Sequence, residues 1–334
     1  MNKKNVVLGF ASIAIMVSFL VSCGNNQKNN QNTSNTDSNK VISTTLEGNI
    51  IISGAFALYP MVVKWKEEFV KLYPNVKIDV SAGGAGKGMT DALAGLVDMG
   101  MVSREISAEE QSKGVWFIPV AKDAVVPVIS DNNPEIEKLL NDGLSKKMFQ
   151  EIFITGKIKT WGQLCNNKTD KNQIKVYTRS DACGAADVWA KYLAKKQEDL
   201  LGVGVSGDPG ITQAVQSDNF GIGYNNICYA YDATTKLEAK GIRVLPIDIN
   251  GNGIIDDKEF FYHHKDSIIH AISDGRYPSP PARDLYLVTK GKPTNAIIIA
   301  FLKWILTDGQ KYVNETGYIK LTSDKMNAAN DKLK

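Results

Sequence analysis

The chain has 334 residues, of which 43% are hydrophobic and 22% are charged, and its formal net charge is +3. That length is enough for one large domain or for two lobes that each bury a core. The small charge and the lack of a basic run with interleaved aromatic residues argue against a nucleic-acid partner.

The N-terminal segment is predicted to be a processing signal that is not part of the fold. Lys3 and Lys4 precede an apolar run at residues 6–21, which is too short for a comfortable membrane span. The run ends in "LVSCG", which resembles the bacterial lipoprotein signal, in which the cysteine becomes the lipidated first residue. This resemblance implies a signal peptide at residues 1–22 and a lipid anchor on Cys23, facing the periplasm or the cell exterior. An ordinary signal peptide and a short membrane anchor are the alternatives.

Residues 23–45 are predicted to form a disordered tether. The stretch "NNQKNNQNTSNTDSNK" is rich in Asn, Ser and Thr and cannot bury apolar area. The mature fold is therefore expected to begin near residue 46.

The first part of the mature chain reads as alternating strands and helices. "NIIIS" and "VKIDVS" are strand-like runs, and "VDMGMVS" is a third. Met61, Trp65, Phe69 and Leu72 recur at helical spacing, which predicts an amphipathic helix at residues 57–72 with Pro60 in its first turn. A second helix is expected at about 87–96. This βαβαβ order predicts a parallel sheet with covered faces.

The rest of the chain predicts a second lobe. "AVVPVIS" (124–130) is a strand that leaves the first lobe, and "RDLYLVTKG" is a strand that returns to it. Between them lie the strand "IKVYTRS", the helix "CGAADVWAKYLAKK" and later strands in "FGIGYNN" and "IRVLPI". We therefore expect two α/β lobes joined by two crossovers, with lobe I at 46–124 and 284–334 and lobe II at 125–283.

Three loops share one design, in which a strand is followed by small residues and then a helix. They are "SGAFALYP" (53–60), "AGGAGKG" (82–88) and "RSDACGAA" (179–186). Helix N-termini offer free N–H groups and a positive dipole end, and open α/β sheets bind ligands beyond the carboxyl ends of their strands. Arg179 begins the third of these loops, and Arg104 directly follows the strand-like run "VDMGMVS". Each guanidinium can donate two hydrogen bonds to an oxyanion. The pattern predicts an anion site.

The segments "GNIIISGAFALYPMVVKWKEEF", "VKIDVSAGGAGKGMTDALAGLVDMGMVSRE", "VYTRSDACGAADVWAKYL" and "LYLVTKGKP" are similar, in order, to the phosphate-binding periplasmic proteins of ABC importers. That resemblance implies a two-lobed type II periplasmic-binding-protein fold, each lobe a mostly parallel sheet flanked by helices. It also implies a monomer without catalytic activity that captures inorganic phosphate between its lobes and delivers it to the permease subunits of an ABC importer.

Several positions depart from the pattern of that family. Phe56, Ala57 and Ala85 stand where hydroxyl residues are frequent, Cys183 and Ala185 replace a Ser and a Thr, and Arg104 fills the slot of a phosphate-selective Asp. The anion would thus be held more by charge and main chain than by hydroxyls, with Asp181, or with less support Asp187, accepting the proton that phosphate carries and sulfate lacks. The binding set that the resemblance implies is Ala55, Phe56, Ala57, Gly84, Ala85, Gly86, Ser103, Arg104, Arg179, Asp181, Cys183, Gly184 and Ala185.

Other readings of these residues stay open at the level of sequence. The ligand can be sulfate, molybdate or an organic phosphate, or the protein can be a surface sensor that uses the same fold. Arg104 can be a solvated surface residue. If the protein were an enzyme, Cys183 would be the nucleophile and would need a general base nearby. The histidines that could serve as that base, His263, His264 and His270, all lie in a separate late segment. Cys165, Cys183 and Cys228 are an odd set, so at least one thiol is free in a monomer.

The stretch "DINGNGIIDDKE" (248–259) matches the EF-hand calcium loop position by position. Gly253 falls at the sharp turn, and oxygen ligands at these spacings suit a hard cation. A strand rather than a helix precedes the loop, which predicts a single structural Ca²⁺ site in lobe II and no paired sensor; a solvated acidic turn is the alternative. No redox or organic cofactor is expected. The predicted calcium ligands are Asp248, Asn250, Asn252, Ile254, Asp256 and Glu259.

Overall fold

A computed structural model describes residues 46–334, so the predicted signal peptide, Cys23 and the whole predicted tether lie outside the described residues. The strands are β1 Gly48–Gly54, β2 Val76–Ala82, β3 Met99–Val102, β4 Val115–Ser130, β5 Leu144–Ser145, β6 Lys175–Arg179, β7 Val203–Val205, β8 Gly221–Asn226, β9 Ile242–Val244, β10 Ile247–Asp248 and β11 Ala282–Lys290. The helices are α1 Tyr59–Leu72, α2 Ala85–Ala94, α3 Ala108–Ser112, α4 Ile136–Asp142, α5 Lys146–Phe153, α6 Trp161–Leu164, α7 Gly184–Tyr192, α8 Gly207–Gln216, α9 Ile227–Ala230, α10 Lys265–Ser273, α11 Ala296–Leu306, α12 Lys311–Glu315 and α13 Ser323–Lys332, with 3₁₀ turns at Gln197–Asp199 and Asp308–Gln310.

The strands follow the order β2-β1-β3-β11-β4-β8-β6-β7, and β9 also pairs with β4. At the two ends of this order the strands β2, β1 and β3, and likewise β8, β6 and β7, run parallel. In the middle, β11 is antiparallel to both β3 and β4, and β4 is antiparallel to β8. The α/β class and the two-lobed fold expected from the sequence are confirmed.

Strands β4 and β11 connect the two lobes. The first part of β4 pairs with β11 as far as Ala124, and from Val125 onward β4 pairs with β8. Ala282, at the start of β11, lies opposite Ala124, so the two crossovers run side by side. The chain thus changes lobes within paired strands.

Lobe I has its core around helix α1. Met61, Trp65 and Phe69 are fully buried, and the Phe69 ring lies 4.9 Å from that of Phe301 on α11. Burying aromatic side chains of this size contributes roughly 4–6 kcal/mol each by area. Leu72, which the sequence placed on the same stripe, is 58% exposed because it is the last residue of α1. The apolar stripe therefore ends at Phe69.

Lobe II has a separate core. Trp189 of α7 packs edge-on against Phe149 and Phe153 of α5 and stacks on Tyr224 of β8. This packing fixes α7, and with it the loop that precedes the helix. The two clusters of buried residues divide close to residues 121–124 and 282–285. The lobe boundaries at 124/125 and 283/284 stay predictions. Among the described helices, none combines the length and apolar character needed to cross a membrane.

Candidate functional site

The three small-residue loops meet at the carboxyl ends of the parallel strands. Gly54, the last residue of β1, is level with Ala82 of β2 and with Met101 of β3. Helices α1 and α2 begin within a few residues of those strand ends, and β6 leads into α7 in the same way on lobe II. The predicted arrangement therefore aims three helix N-termini at the space between the lobes.

Loops from the two lobes touch one another directly. The N–H of Gly86 on lobe I donates a hydrogen bond to the carbonyl of Ala182 on lobe II, at 3.0 Å. A Cβ atom on Gly184 would lie 2.2 Å from the carbonyl oxygen of Ser103, so only glycine permits this approach. The Phe56 ring from lobe I also covers the Arg179 guanidinium from lobe II, at 5.4 Å. The structure therefore has its lobes in contact around Arg179.

Arg179 is the central charge of the site. Its side chain is only 1% exposed, and it forms ion pairs with Asp181 and with Asp208. Nε and Nη2 donate to Asp181 at 2.8 and 2.6 Å, while Nη1 donates to Asp208 at 2.8 Å. Burial alone would lower the pKa of Arg179, but the two carboxylates raise it above the usual value, so the charge is permanent. Since a guanidinium has five N–H groups, two remain for a ligand.

Five of the predicted backbone donors have no acceptor within residues 46–334. They are the N–H groups of Phe56, Ala57, Ala85, Gly184 and Ala185, all at or just before the start of a helix. Three predicted positions serve a different purpose. The N–H of Ala55 donates to Met101, that of Gly84 donates to Gly54, and Gly86 bridges to Ala182. The first set is thus available to an anion, while the second set shapes the loops.

Cys183 is the N-cap residue of α7. Its Sγ accepts a hydrogen bond from the N–H of Ala186 at 3.4 Å, the role that a serine or threonine hydroxyl has at many helix starts. Burial raises the pKa of this thiol to about 12, although Arg179 lowers it in part. A thiol with that pKa is protonated at neutral pH, so it would need a general base to act as a nucleophile. In the described residues Cys165, Cys183 and Cys228 form no disulfide.

Arg104 follows β3, and its guanidinium is bound by a carboxylate. Nη1 and Nη2 donate to the two carboxylate oxygens of Glu110, at 2.9 and 2.7 Å. Glu110 also closes a capping box with Ser107 at the start of α3. Both terminal nitrogens of Arg104 therefore donate hydrogen bonds to Glu110. Ser103, the preceding residue, is 2% exposed and packs against Gly184.

Asp181 and Asp187 were the two carboxylates expected to accept a proton from the ligand. Oδ1 of Asp181 accepts from Arg179 and, at 3.3 Å, from the N–H of Gly207, while Oδ2 accepts only from Arg179 among the described residues. Asp187 lies near Arg104, and burial raises its pKa in spite of that cation. Of the two, Asp181 is the one bound to the central arginine.

A buried polar network behind Arg179 was missed in the sequence. Asp208 of α8 accepts from Arg179 and from the Asn226 side chain, and Arg283 of β11 donates to Asn226 and, at 3.3 Å, to Asp123 of β4. Burial raises the pKa of Asp123 to about 6, against the pull of Arg283. The available signal was the presence of charged residues inside apolar strand runs, such as "AKDAVVPVIS". This network joins Arg179 to both crossover strands.

The predicted calcium loop extends from the end of β10. Asp248 accepts hydrogen bonds from the N–H groups of Gly251, Asn252 and Gly253, and Glu259 accepts from Ile249 and Asn250. No three His, Cys, Asp or Glu side chains converge on one point in the part of the chain that is described. His264 caps α10 and His270 pairs with Asp274, so these two histidines have local structural partners.

Comparison with known proteins confirms the similarity seen in the sequence. A curated relative from Staphylococcus haemolyticus, named phosphate-binding protein PstS, is 26% identical over 82% of this chain and 81% of its own length. A PstS from Methanocaldococcus jannaschii is 27% identical over 96% of this chain and 92% of its own length.

Solved structures agree on the fold. One from Clostridium perfringens, described as a putative phosphate ABC transporter substrate-binding protein with bound phosphate, has a TM-score of 0.67 at 23% identity and covers 82% of this chain and 100% of its own. An ABC-type phosphate transport receptor from Vibrio cholerae has a TM-score of 0.58 at 16% identity over 81% of this chain and 100% of its own. A family model described as a PBP superfamily domain matches residues 30–309, and the chain belongs to that superfamily.

Proposed function

We propose that this protein captures inorganic phosphate between its two lobes and delivers it to an ABC importer. The observation that carries the proposal is the buried Arg179: within residues 46–334 two of its N–H groups and five backbone N–H groups of the three loops have no acceptor. Two guanidinium N–H groups and five backbone N–H groups make seven donors, a number that suits a tetrahedral dianion. The relatives named phosphate-binding protein support the same ligand.

Asp181 supports phosphate over sulfate. Among the described residues its Oδ2 accepts a hydrogen bond from Arg179 alone, and it lies beside the lobe I loop, since a Cβ on Gly84 would lie 2.7 Å from that atom. Phosphate at neutral pH carries a proton that it can donate to this oxygen. Sulfate has none, so its oxygen would meet the carboxylate with two acceptors facing each other, which is unfavourable.

Capture works by closure of the two lobes on the anion. Lobe I contributes the N–H groups of Phe56, Ala57 and Ala85, and lobe II contributes Arg179 and the start of α7. Because neither set completes the site alone, the ligand stabilises the form in which both are together. The direct bond between Gly86 and Ala182 belongs to this closed arrangement.

We further propose that the mature protein is lipid-anchored through Cys23 in the cell envelope and meets the importer permease there. The support is the "LVSCG" sequence followed by a polar stretch. Radiolabelled palmitate supplied to expressing cells should be incorporated into the protein, and Cys23→Ala should abolish the label. Incorporation into the variant at the level of the unmodified protein would contradict this proposal.

Calorimetric titration of the full-length protein in detergent, after ligand is removed by unfolding and refolding, tests the ligand. Phosphate, sulfate, molybdate and a sugar phosphate are compared with Arg179→Lys and with Arg276→Lys, an exposed arginine that pairs with Asp274 in a similar way. Arg179→Lys keeps the charge but loses the two free N–H groups, so phosphate affinity should fall at least ~100-fold, from two charge-assisted hydrogen bonds of about 1.5 kcal/mol each. Arg276→Lys should bind normally.

Another oxyanion is the second candidate ligand. The observation that favours it is the absence of hydroxyl donors at Phe56, Ala57, Ala85 and Ala185, which other binding proteins of this kind often have. Saturable binding of sulfate or molybdate without binding of phosphate would establish that candidate and overturn the first. If none of the four anions binds, both candidate ligands are overturned and the interpretation as a surface sensor is the one that remains.

A further inference from the structure

In the part of the chain that is described, Glu259, the last residue of the acidic loop, has a buried oxygen that accepts no hydrogen bond. The residue is 4% exposed, and its Oε1 accepts from the N–H groups of Ile249 and Asn250, at 2.8 and 3.1 Å. These bonds turn the carboxylate back toward the start of the loop. Its Oε2 is buried and accepts no hydrogen bond from residues 46–334. A buried carboxylate oxygen left without a donor is costly, which points to a missing positive partner.

Asp248, at the other end of the loop, is buried to the same degree. It is also 4% exposed, and backbone N–H groups occupy three of its acceptor positions. Within the described range no Lys, Arg or His nitrogen lies within 4.0 Å of either Asp248 or Glu259. Among residues 46–334, two buried carboxylates therefore share one loop without a side-chain cation. Burying charge without a counter-charge is costly, so a bound cation would stabilise the loop.

The remaining oxygens of the loop can complete a coordination shell. The carbonyl of Ile254 accepts no hydrogen bond among the described residues. Asn250 lies between the two ends, with its Nδ2 2.8 Å from Oδ2 of Asp256. Carboxylate, amide and carbonyl oxygens with no sulfur or imidazole nitrogen are the donors that a hard cation prefers.

We propose that residues 248–259 bind one calcium ion that stabilises lobe II. Single oxygens come from Asp248, Asn250, Asn252 and the Ile254 carbonyl, Asp256 binds through water, and Glu259 binds with both oxygens. Only two carboxylates need to reach the ion directly, which agrees with the lack of a cluster of three acidic or histidine side chains among the described residues. The proposal is independent of the ligand between the lobes.

Calcium at this position would stabilise the part of lobe II in which the loop contacts neighbouring elements. The loop begins on β10, which pairs with β5, and the N–H of Ile255 donates to the carbonyl of Asn141 on α4, at 2.9 Å. Helix α5 follows β5 and carries Phe149 and Phe153 to the core beneath α7. The loop is thus connected, through two short elements, to the packing that supports the lobe II side of the anion site.

Thermal unfolding and calcium titration of the full-length protein in detergent test the proposal. The variant is Glu259→Gln, and the matched control is Asp257→Asn, which removes one charge from a residue of the same loop that is not a predicted ligand. With calcium at 100 times its Kd, the Tm of the unmodified protein and of the control should rise by about 5 °C above the value in EDTA. Glu259→Gln should show no such rise.

The EDTA measurement separates binding from a folding defect. Because the amide that replaces the carboxylate carries no charge, Glu259→Gln without calcium should be as stable as the unmodified protein or more stable. Magnesium at the same concentration should raise the Tm much less, since it accepts a bidentate carboxylate poorly. The proposal is overturned if calcium titration shows no saturable binding, if both variants respond to calcium alike, or if magnesium stabilises as well as calcium.

Discussion

Gly184→Ala should block closure of the lobes without harming the fold. The added Cβ would lie 2.2 Å from the Ser103 carbonyl oxygen and 2.3 Å from its Oγ. The hydroxyl can rotate away, but the carbonyl belongs to the backbone, so the two loops must separate by about 1 Å to reach an ordinary carbon–oxygen contact of roughly 3.4 Å. Gly184 is the first residue of α7 and does not have a positive φ, so alanine fits its backbone conformation.

The loss in affinity follows from the donors that lobe I contributes. A separation of about 1 Å breaks hydrogen bonds to an anion held by Arg179, because such bonds weaken steeply beyond about 3.2 Å. Three N–H donors on lobe I, at about 1.5 kcal/mol each for a charged acceptor, amount to roughly 4–5 kcal/mol. Phosphate affinity should therefore fall by about 10³-fold, while the Tm of the ligand-free protein stays the same or rises slightly.

Titration calorimetry and thermal unfolding measure both effects on the same samples. Gly210→Ala is the matched control, because its added Cβ would meet its nearest neighbour, the Val205 side chain, at an ordinary 3.7 Å. If Gly184→Ala bound phosphate within about threefold of the unmodified protein, while the control behaved normally, the contact between Ser103 and Gly184 would have no part in capture. The closure mechanism would then be wrong.

Three further outcomes are expected. Asp181→Asn should reduce the preference for phosphate over sulfate at least ~10-fold in competitive titration, since the acceptor for the phosphate proton is lost; an unchanged ratio would contradict that role. Cys183 should resist alkylation by iodoacetamide at pH 8 in the folded protein, because its pKa is about 12, and Cys183→Ser should keep the helix cap and the phosphate affinity. Asp123→Asn should gain stability relative to the unmodified protein as pH rises from 4 to 6, measured by urea unfolding at each pH. In the unmodified protein a carboxyl whose folded pKa is about 6 stabilises the fold below its unfolded pKa. The unmodified protein loses that contribution as pH rises through 6, whereas the variant has no such contribution to lose. A constant difference between variant and parent across that range would show that Asp123 keeps an ordinary pKa.

The regular elements were predictable because local patterns determine them. Helix α1 was expected from the spacing of Met61, Trp65 and Phe69, and it begins two residues later than predicted because Pro60 defines its first turn. Helix α2 likewise follows directly after its glycine-rich turn. Leu72 was misplaced because periodicity alone does not tell where a helix leaves the core.

The three loops of the proposed anion site have the strand–turn–helix form that the sequence predicts, but the partners of their charged side chains were not predictable. Arg104 was identified by its place after a strand, yet its guanidinium binds Glu110, which becomes a neighbour only because α3 starts with a capping box at Ser107. Asp208 and Arg283 lie 29 and 160 residues from their respective partners, Arg179 and Asp123. Contacts between residues so far apart in the sequence depend on the tertiary fold, and no local sequence pattern predicts them.

The paired crossover strands also determine how freely the lobes can move. Because β4 and β11 stay hydrogen-bonded to each other across the boundary at Ala124 and Ala282, no segment of chain has to become ordered when the lobes approach. We expect bending to be shared among many backbone dihedrals, each of which changes little, so that the open and closed forms differ little in conformational entropy. Most of the contact energy with the anion is then available as affinity. The speed of capture would be limited by the diffusive rotation of two rigid bodies and not by the folding of a lid.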